Sequence, residues 1–257
     1  MSRKFIQIYC DLGFSEHSFK QLSNALVSHT GLNKLIHTNG EQLRSENNLN
    51  DTILLCFGGG YDQGFLKSVT PFGCRVIRRY IENGGRYLGI CAGAYFASGQ
   101  CIFDKNGPLE VCGPRFIQLF EGAAIGPYYP GFVYNSEIGS RAVSIKCALT
   151  SGLPNTINVY FNGGCTFQTK NWDGIKVLYT YENSCDPAII ACKLGSGWGI
   201  LSGVHFEFDP DILSQADSTE QCQLVVSQLK TTNDDRRKLC DLLFTSLVDP
   251  LCDFFDR

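Results

Sequence analysis

Gly89-Ile90-Cys91-Ala92-Gly93 decides the fold of this sequence, and the strand that the pattern predicts over Arg86 to Ile90 leads directly into Cys91. The five residues have the form of a nucleophile elbow, a strained turn between a strand and a helix that carries a reactive side chain. Glycines on both sides leave room for the strand and the helix to pack closely. Because a helix N-terminus favours thiolate over thiol, the stretch predicts an α/β fold with Cys91 as its nucleophile. A buried cysteine at a tight turn is the alternative.

Strands and helices alternate in the sequence before this elbow. We predict strands over Phe5 to Tyr9, Lys34 to His37 and Thr52 to Phe57, and helices over Ser15 to Ser28 and Pro71 to Glu82. This order predicts parallel strands with right-handed crossovers, and ligands then bind at the carboxyl ends of the strands. A glycine loop at 58–60 and Cys91 both follow such ends.

The pattern changes after residue 106. Short strands and many turn residues over 107–174 predict a β-rich insertion or lid over the site. Three further strands are predicted over Ile175 to Tyr181, Ala188 to Leu194 and Gly199 to Val204. Two helices, Glu220 to Leu229 and Asp234 to about Val248, form a C-terminal segment over 218–257. Because 257 residues of which 44% are hydrophobic can bury one large core, we predict a single domain over 1–257. Two small domains are the alternative.

Charge and hydropathy narrow the classes of partner. The net charge is -3 and the pI is about 5.8, so the chain has no basic stripe for a nucleic-acid backbone. No run reaches the roughly 20 apolar residues that span a bilayer, and residues from Gln7 onward are polar where a signal peptide needs an apolar stretch. We therefore expect a soluble, cytoplasmic protein that binds neither nucleic acid nor a membrane.

The 13 cysteines are an odd number for a disulfide framework, and several lie inside apolar strand-like runs, as Cys56 and Cys192 do. Reduced and mostly buried thiols fit this distribution. No pair has CxxC spacing, and the 4 histidines do not cluster with cysteines as zinc ligands do. We expect no metal and no cofactor.

His205-Phe206-Glu207 is the second motif with a chemical interpretation. It follows a predicted strand, and the alternation at a strand end points His205 and Glu207 to the same side. His205 then takes the thiol proton of Cys91, while Glu207 orients the imidazole and stabilises its charged form. A structural histidine is the alternative. Backbone amides of Ala92 at the elbow and of Gly59 or Gly60 in the glycine loop form a candidate oxyanion hole.

The order of these motifs carries a family resemblance. An elbow cysteine followed by His-x-Glu resembles the class I glutamine amidotransferases. With the elbow, GPYYPGFVYNSEIGSRAV (126–143) and YFNGGCTF (160–167) resemble the N-terminal amidotransferase-like domain of eukaryotic-type biotin-protein ligases, over roughly Lys4 to Asp209. The resemblance implies a three-layer α/β/α fold of the flavodoxin-like kind with a mostly parallel sheet, and a thioester formed on the cysteine.

Two departures from the related families bear on function. Many class I amidotransferases have a glutamine four residues after the elbow cysteine, where it helps hold the substrate glutamine, and Tyr95 takes that position here. Glutamine is therefore one candidate among small amide or acyl substrates. Biotin activation needs a loop resembling GRGRxxR, which no segment matches. This chain should not biotinylate a protein by itself.

Four residues between the two motifs are further candidates for substrate binding. Glu137 and Arg141 could hold a polar substrate through charge-assisted hydrogen bonds, or they could form a loop ion pair. Asn162 and Gly163 could present backbone amides to a ligand, or they could form a plain hairpin turn. Their position in the sequence, between the elbow and His-x-Glu, favours the functional interpretation.

We consider three hypotheses for function. The first is a cysteine hydrolase or amidotransferase that forms a thioester with an amide or related acyl group. The second is a non-catalytic module that senses a small molecule or docks a biotin-protein ligase. The third is a peptidase-like hydrolase, since Cys-Ala-Gly-Ala at 91–94 resembles the Ser-Ala-Gly-Ala elbow of certain serine dipeptidases.

Overall fold

The computed structural model describes residues 5–31, 35–149, 152–216, 219–249, 251–252 and 255. The predicted starts of the family resemblance at Lys4 and of the second strand at Lys34 lie outside these residues. The first and last residues of the predicted C-terminal segment, 218–257, lie outside them as well.

Strands and helices alternate along the described residues. The strands are β1 (Phe5–Tyr9), β2 (Leu35–Thr38), β3 (Thr52–Phe57), β4 (Arg86–Ile90), β5 (Ser98–Phe103), β6 (Val111–Pro114), β7 (Phe120–Gly126), β8 (Arg141–Cys147), β9 (Thr156–Phe161), β10 (Thr166–Gln168), β11 (Ile175–Tyr181), β12 (Pro187–Leu194) and β13 (Gly197–Ser202). The helices are α1 (Glu16–Thr30), α2 (Asp62–Glu82), α3 (Ala92–Ala97), α4 (Pro210–Ala216), α5 (Glu220–Lys230) and α6 (Asn233–Val248).

The main sheet has nine strands in the order β2-β1-β3-β4-β13-β12-β11-β8-β9. The strands from β2 to β13 in this order pair in parallel, as the alternation of strands and helices predicts. The strands from β13 to β9 pair antiparallel, and short turns connect β11 to β12 and β12 to β13, as antiparallel neighbours permit. The parallel half carries the site, and an antiparallel extension completes the sheet.

Helices cover both faces of the parallel half, and β3 shows why. Leu54 and Cys56 pack into one core with residues of α1 and α6, whereas Leu55 and Phe57 pack into a second core with residues of α2 and α3. All four side chains are fully buried. A strand buried on both faces needs a continuous apolar sequence, which is the pattern that predicts this strand. The result is the expected three-layer α/β/α architecture.

The segment 107–174 contributes to two different sheets. Its strands β6, β7 and β10 form a four-stranded sheet with β5, in the order β10-β7-β5-β6. Its strands β8 and β9 extend the main sheet instead. β5 begins directly after α3, so the elbow is followed by a helix of only six residues and then by the strand that starts the second sheet.

Several element bounds differ from those predicted from the sequence, and two of these differences bear on the site. Helix α2 begins at Asp62, nine residues before the predicted start, and its backbone leaves the helical region at Thr70 (φ 67°, ψ 162°). The following Pro71 explains this break, because proline disfavours helical geometry in the residue before it. Strand β13 ends at Ser202, so a short turn, and not the strand itself, leads to His205. Helix α4 is absent from the prediction.

No helix in the part of the chain that the structure describes has both the length and the apolar character needed to cross a membrane.

Candidate active site

Cys91 lies at the tight turn between β4 and α3, with φ 52° and ψ -108°. A positive φ at a residue other than glycine stores strain that the surrounding packing must hold. Gly93 permits this packing, because a Cβ there would lie 2.1 Å from the carbonyl oxygen of Phe57. The Cys91 amide donates to the Ser202 carbonyl at 2.8 Å, which ties the elbow to β13. The sulfur is therefore held at the carboxyl end of the parallel strands.

His205 and Glu207 lie at the same end of the sheet. The His205 Nδ1 is 2.7 Å from Glu207 Oε1, and both residues are buried. The His205 amide donates to the Tyr160 carbonyl at 2.8 Å, which joins the turn after β13 to β9. Because Nδ1 faces the carboxylate, Nε2 is the ring nitrogen left for the hydrogen bond between His205 and Cys91. The structure thus brings Cys91, His205 and Glu207 into one chain of contacts.

The C-terminal helix α6 supports the His-x-Glu segment from behind. Arg236, which is buried, donates from Nη1 to the Phe206 carbonyl at 3.2 Å and from Nη2 to Asp209 Oδ2 at 3.0 Å. The thiol of Cys240 also contacts the Phe206 carbonyl, at 3.3 Å. The backbone between the imidazole and the carboxylate is therefore anchored by a helix that lies 30 residues further along the chain.

The charge state of His205 follows from two opposing effects. Burial lowers the pKa of His205, but the charge of Glu207 and the hydrogen bonds with Cys91 and Glu207 raise it, and the pKa rises to about 10. The imidazolium form is thus favoured at neutral pH. The second carboxylate oxygen, Glu207 Oε2, is buried and has no hydrogen-bond partner among the described residues. Within this chain of contacts the charge of Glu207 therefore acts mainly on the imidazole.

We expect the substitution Glu207→Gln to destabilise the protein by about 3 kcal/mol below about pH 6.5, because it leaves one member of a buried charge pair without its partner. The folded pKa of His205 lies above its ordinary value of 6.5, so its protonation stabilises the folded state below that pH, and this contribution is lost as the pH rises through about 10. Urea unfolding of both proteins near pH 6, 8 and 10 measures the difference. A stability difference between the two proteins that grows with pH would contradict the assignment of His205 as an imidazolium paired with Glu207.

The three predicted oxyanion-hole amides differ in their partners. The amide of Gly59 donates to Ser18 Oγ at 2.7 Å, so it is already engaged. Among the described residues, the amides of Gly60 and Ala92 have no hydrogen-bond acceptor. Gly59 has another role, because a Cβ there would lie 2.9 Å from Cε1 of the His205 ring. Gly60 and Ala92 therefore remain as the candidate donors to an oxyanion. The absence of a side chain at Gly59 leaves room for the His205 ring.

A cavity of about 500 Å³ opens beside Cys91. Its lining includes the predicted substrate residues Tyr95, Glu137, Asn162 and Gly163. The Tyr95 hydroxyl donates to the Gly163 carbonyl at 3.2 Å, and the Cys91 sulfur lies 3.7 Å from the Asn162 carbonyl. The loop that contains Asn162 and Gly163 thus directs carbonyl oxygens at the elbow helix and at the sulfur.

Arg141 does not lie in the lining of this cavity. Its guanidinium donates to the carbonyls of Gly139 and Pro130, at 3.3 and 2.8 Å, and it lies 5.2 Å from the ring centre of Tyr129. No ion pair joins it to Glu137 in the part of the chain that the structure describes. Arg141 therefore holds the loop at 130–139 in shape from outside the cavity.

Tyr160 and His17, which are not among the predicted site residues, contact Glu137. The Tyr160 hydroxyl donates to Glu137 Oε2 at 2.5 Å, and His17 Nδ1 lies 3.5 Å from Glu137 Oε1. Burial and the neighbouring Glu137 carboxylate raise the pKa of Tyr160, so its hydroxyl remains a donor. His17 lies in the first turn of α1, the helix that follows the carboxyl end of β1, and that position is the one sequence signal that could have identified it.

All 13 cysteines, each of them in the described part of the chain, are free thiols. No group of three or more histidine, cysteine, aspartate or glutamate side chains within the described residues is arranged to hold a metal ion.

The sheet order and the position of Cys91 at an elbow define the class: the chain has the fold of a class I glutamine amidotransferase-like protein. A glutamine amidotransferase from Thermotoga maritima superposes with a TM-score of 0.59 at 14% identity, covering 96% of this chain and 97% of that one. A second crystal structure of a glutamine amidotransferase gives a TM-score of 0.55 at 16% identity, covering 88% and 99%. At these identities the likeness shows the fold alone.

The family follows from sequence comparison. The family model described as biotin-protein ligase, N terminal, matches residues 5–248, and the chain belongs to this family. It is similar to the biotin-protein ligase of Schizosaccharomyces pombe, with 37% identity over 187 residues, which cover 70% of this chain and 30% of the ligase. It is also similar to an uncharacterized protein of Chlamydia muridarum, with 33% identity over 224 residues, covering 83% and 84%. The chain thus matches less than a third of the ligase's length.

Proposed function

We propose that the chain is a cysteine-dependent hydrolase or transferase of amide or related acyl groups. The observation that carries the proposal is the buried contact series from Cys91 through His205 to Glu207, at the wall of a cavity large enough for a small molecule. Nucleophile, base and orienting carboxylate occupy the roles that covalent catalysis by a cysteine requires. The strained backbone at Cys91 supports the same function.

The first half of the reaction forms a thioester. The Cys91 sulfur, having passed its proton to His205, attacks the carbonyl carbon, and the electron pair of the carbonyl double bond moves to its oxygen. The amides of Gly60 and Ala92 stabilise this oxyanion. The oxyanion then re-forms the carbonyl as the carbon–nitrogen bond breaks, and His205 gives its proton to the leaving amine or ammonia.

The second half releases the acyl group. Water attacks the thioester carbonyl and gives one proton to His205, the carbon–sulfur bond breaks, and the thiolate of Cys91 returns as the carboxylic acid leaves. An amine that replaces water gives a new amide in a transfer reaction. Glu207 keeps the imidazole oriented through both halves.

Mass spectrometry of the intact protein tests this proposal. The protein is mixed with a panel of small primary amides and activated esters, quenched with acid within seconds, and weighed. We expect an increase by the mass of one acyl group on Cys91, reversed by hydroxylamine, and absent from Cys91→Ala. Cys112→Ala, which removes an exposed thiol, is the matched control and should acylate normally. An equal adduct on Cys91→Ala would refute the proposal.

A second candidate function is the docking of a biotin-protein ligase. It is favoured by the similarity to the S. pombe ligase, in which the matching segment belongs to the same chain as the rest of that enzyme. We expect binding of this chain to the ligase remainder, produced separately, in analytical ultracentrifugation. Binding that persists in Cys91→Ala, with no acyl adduct on the parent protein, would favour docking over catalysis.

The cysteines also support a proposed compartment. Cys112 and Cys185 are exposed free thiols, and ten of the other cysteines are free as well besides Cys91. Such thiols persist in reducing surroundings. We place the proposed reaction in the cytoplasm on this ground.

A further inference from the structure

Two acidic side chains, Asp62 and Glu137, line the cavity of the candidate active site, and no lysine or arginine does within the part of the chain that the structure describes. Each of the two histidines in the lining already faces a carboxylate of the protein, His205 that of Glu207 and His17 that of Glu137. A free carboxylate on a substrate would therefore enter this cavity without an unpaired cationic side chain to receive it. Desolvating an unpaired carboxylate is costly, so the lining disfavours substrates of that kind.

Asp62 is already neutralised by a guanidinium behind the cavity wall. Arg115 Nε and Nη2 both lie 2.6 Å from Asp62 Oδ2, and both side chains are buried. Arg115 Nη1 donates to the carbonyls of Gly113 and Pro114. This arginine is held by its own partners and does not line the cavity, so it is not placed to receive a substrate carboxylate.

Glu137 is held so that its charge faces the cavity. The Tyr160 hydroxyl and the His17 ring fix its two oxygens, and about a quarter of its side chain is exposed. The Tyr160 ring centre lies 5.7 Å from that of His205. The phenol ring of Tyr160 therefore lies between the Glu137 carboxylate and the imidazole of His205. A small molecule that contacts both groups must extend over several atoms.

Aromatic rings line the same cavity. Phe103, Phe132 and Tyr134 contact one another edge-on or tilted, with ring centres 4.8 to 6.2 Å apart. The face of an aromatic ring attracts an ammonium group, and a carboxylate in the same cavity attracts it as well.

We infer that the substrate is an amide or acyl compound that carries a cationic amino group a few atoms from its reacting carbonyl, with Glu137 as the residue that binds this group. The inference rests on the proposed function for the identity of the reacting carbonyl. Recognition of the ammonium group itself does not require turnover. A free carboxylate on the same molecule weakens binding.

Calorimetric titration of the Cys91→Ala protein measures recognition of the ammonium group apart from turnover, because this variant binds without reacting. The probes are L-glutaminamide, which has an ammonium group and no carboxylate, L-glutamine, which has both, and N-acetyl-L-glutamine, which has only the carboxylate. We expect L-glutaminamide to bind about ten-fold more tightly than N-acetyl-L-glutamine, as one charge-assisted contact provides, with L-glutamine between them. The flexible 6-aminohexanamide serves as a fourth probe.

Glu137→Gln in the same background should reduce this ten-fold preference to about two-fold. Glu121→Gln, which removes an exposed carboxylate outside the cavity, should leave the preference unchanged, and thermal unfolding checks that both variants are folded. Tighter binding of N-acetyl-L-glutamine, a preference that survives Glu137→Gln, or no binding of L-glutaminamide and 6-aminohexanamide would overturn the inference. The acyl-adduct experiment can fail while this preference is seen, so the two results are distinguishable.

Discussion

Cys91 is expected to react with iodoacetamide about 10 to 100 times faster than Cys112 or Cys185 near pH 6.5, although it is only 7% exposed and they are exposed. The thiolate is the reactive form of cysteine, and the imidazolium of His205, hydrogen-bonded to Cys91, stabilises the negative sulfur. The lower intrinsic nucleophilicity of a stabilised thiolate limits the gain. Exposure alone would give the reverse order of rates.

Peptide mapping after short treatment with isotope-labelled iodoacetamide measures all these rates in one sample. The exposed Cys112 and Cys185 report the reactivity of ordinary thiols, and the fully buried Cys56 reports any local unfolding. His205→Gln should bring Cys91 to the rate of the exposed thiols or below it. Labelling that follows exposure, with Cys91 slow in both proteins, would mean that His205 does not activate the sulfur.

The elbow and its strand were predictable from the sequence because local rules determine them. β4 occupies Arg86–Ile90 and β3 occupies Thr52–Phe57, the bounds that the apolar runs predict. The elbow pattern contains Gly93, and the structure gives its reason, because only glycine fits so close to Phe57. The spacing of His-x-Glu likewise places Glu207 on His205, since two residues are enough to form the contact.

The substrate side of the cavity was not predictable in the same way. Glu137 and Arg141 are four residues apart, yet one lines the cavity and the other holds the loop from outside. Irregular loops have no period from which the direction of a side chain can be inferred. The partners of Glu137 come from α1 and β9, at His17 and Tyr160, and such long-range contacts leave no local pattern.

The support behind the His-x-Glu turn is a further long-range feature. The sequence predicts α6 from its apolar stripe, but not that Arg236 would reach back to the Phe206 carbonyl. A buried arginine on a helix gives no sign of its acceptor in the sequence. Fold class therefore follows from periodicity and glycines, whereas the residues that shape the site follow only from the packing of distant segments.

Glu207→Gln should lower the rate of Cys91 acylation by a factor of about 10² to 10⁴. Replacing the acid of a Ser-His-Asp triad by its amide lowers the rate by a factor of about 10⁴. The amide no longer stabilises the imidazolium and permits the wrong tautomer. Here Glu207 is 1% exposed and offsets the burial that lowers the pKa of His205. In the variant burial dominates, so His205 loses its proton at a lower pH and no longer stabilises the thiolate.

Stopped-flow acylation of Cys91 by an activated ester, followed from about pH 5 to 10, measures both consequences. In the parent protein the imidazolium persists until the pH approaches about 10, so the His205-dependent rate advantage should extend across neutral pH. In Glu207→Gln that advantage should vanish, and the remaining rate should rise with pH as for an unassisted thiol. Glu121→Gln is the matched control for loss of one carboxylate. If Glu207→Gln kept the parent rate and pH profile, the carboxylate would only anchor the turn, and Cys91 and His205 would act as a pair without it.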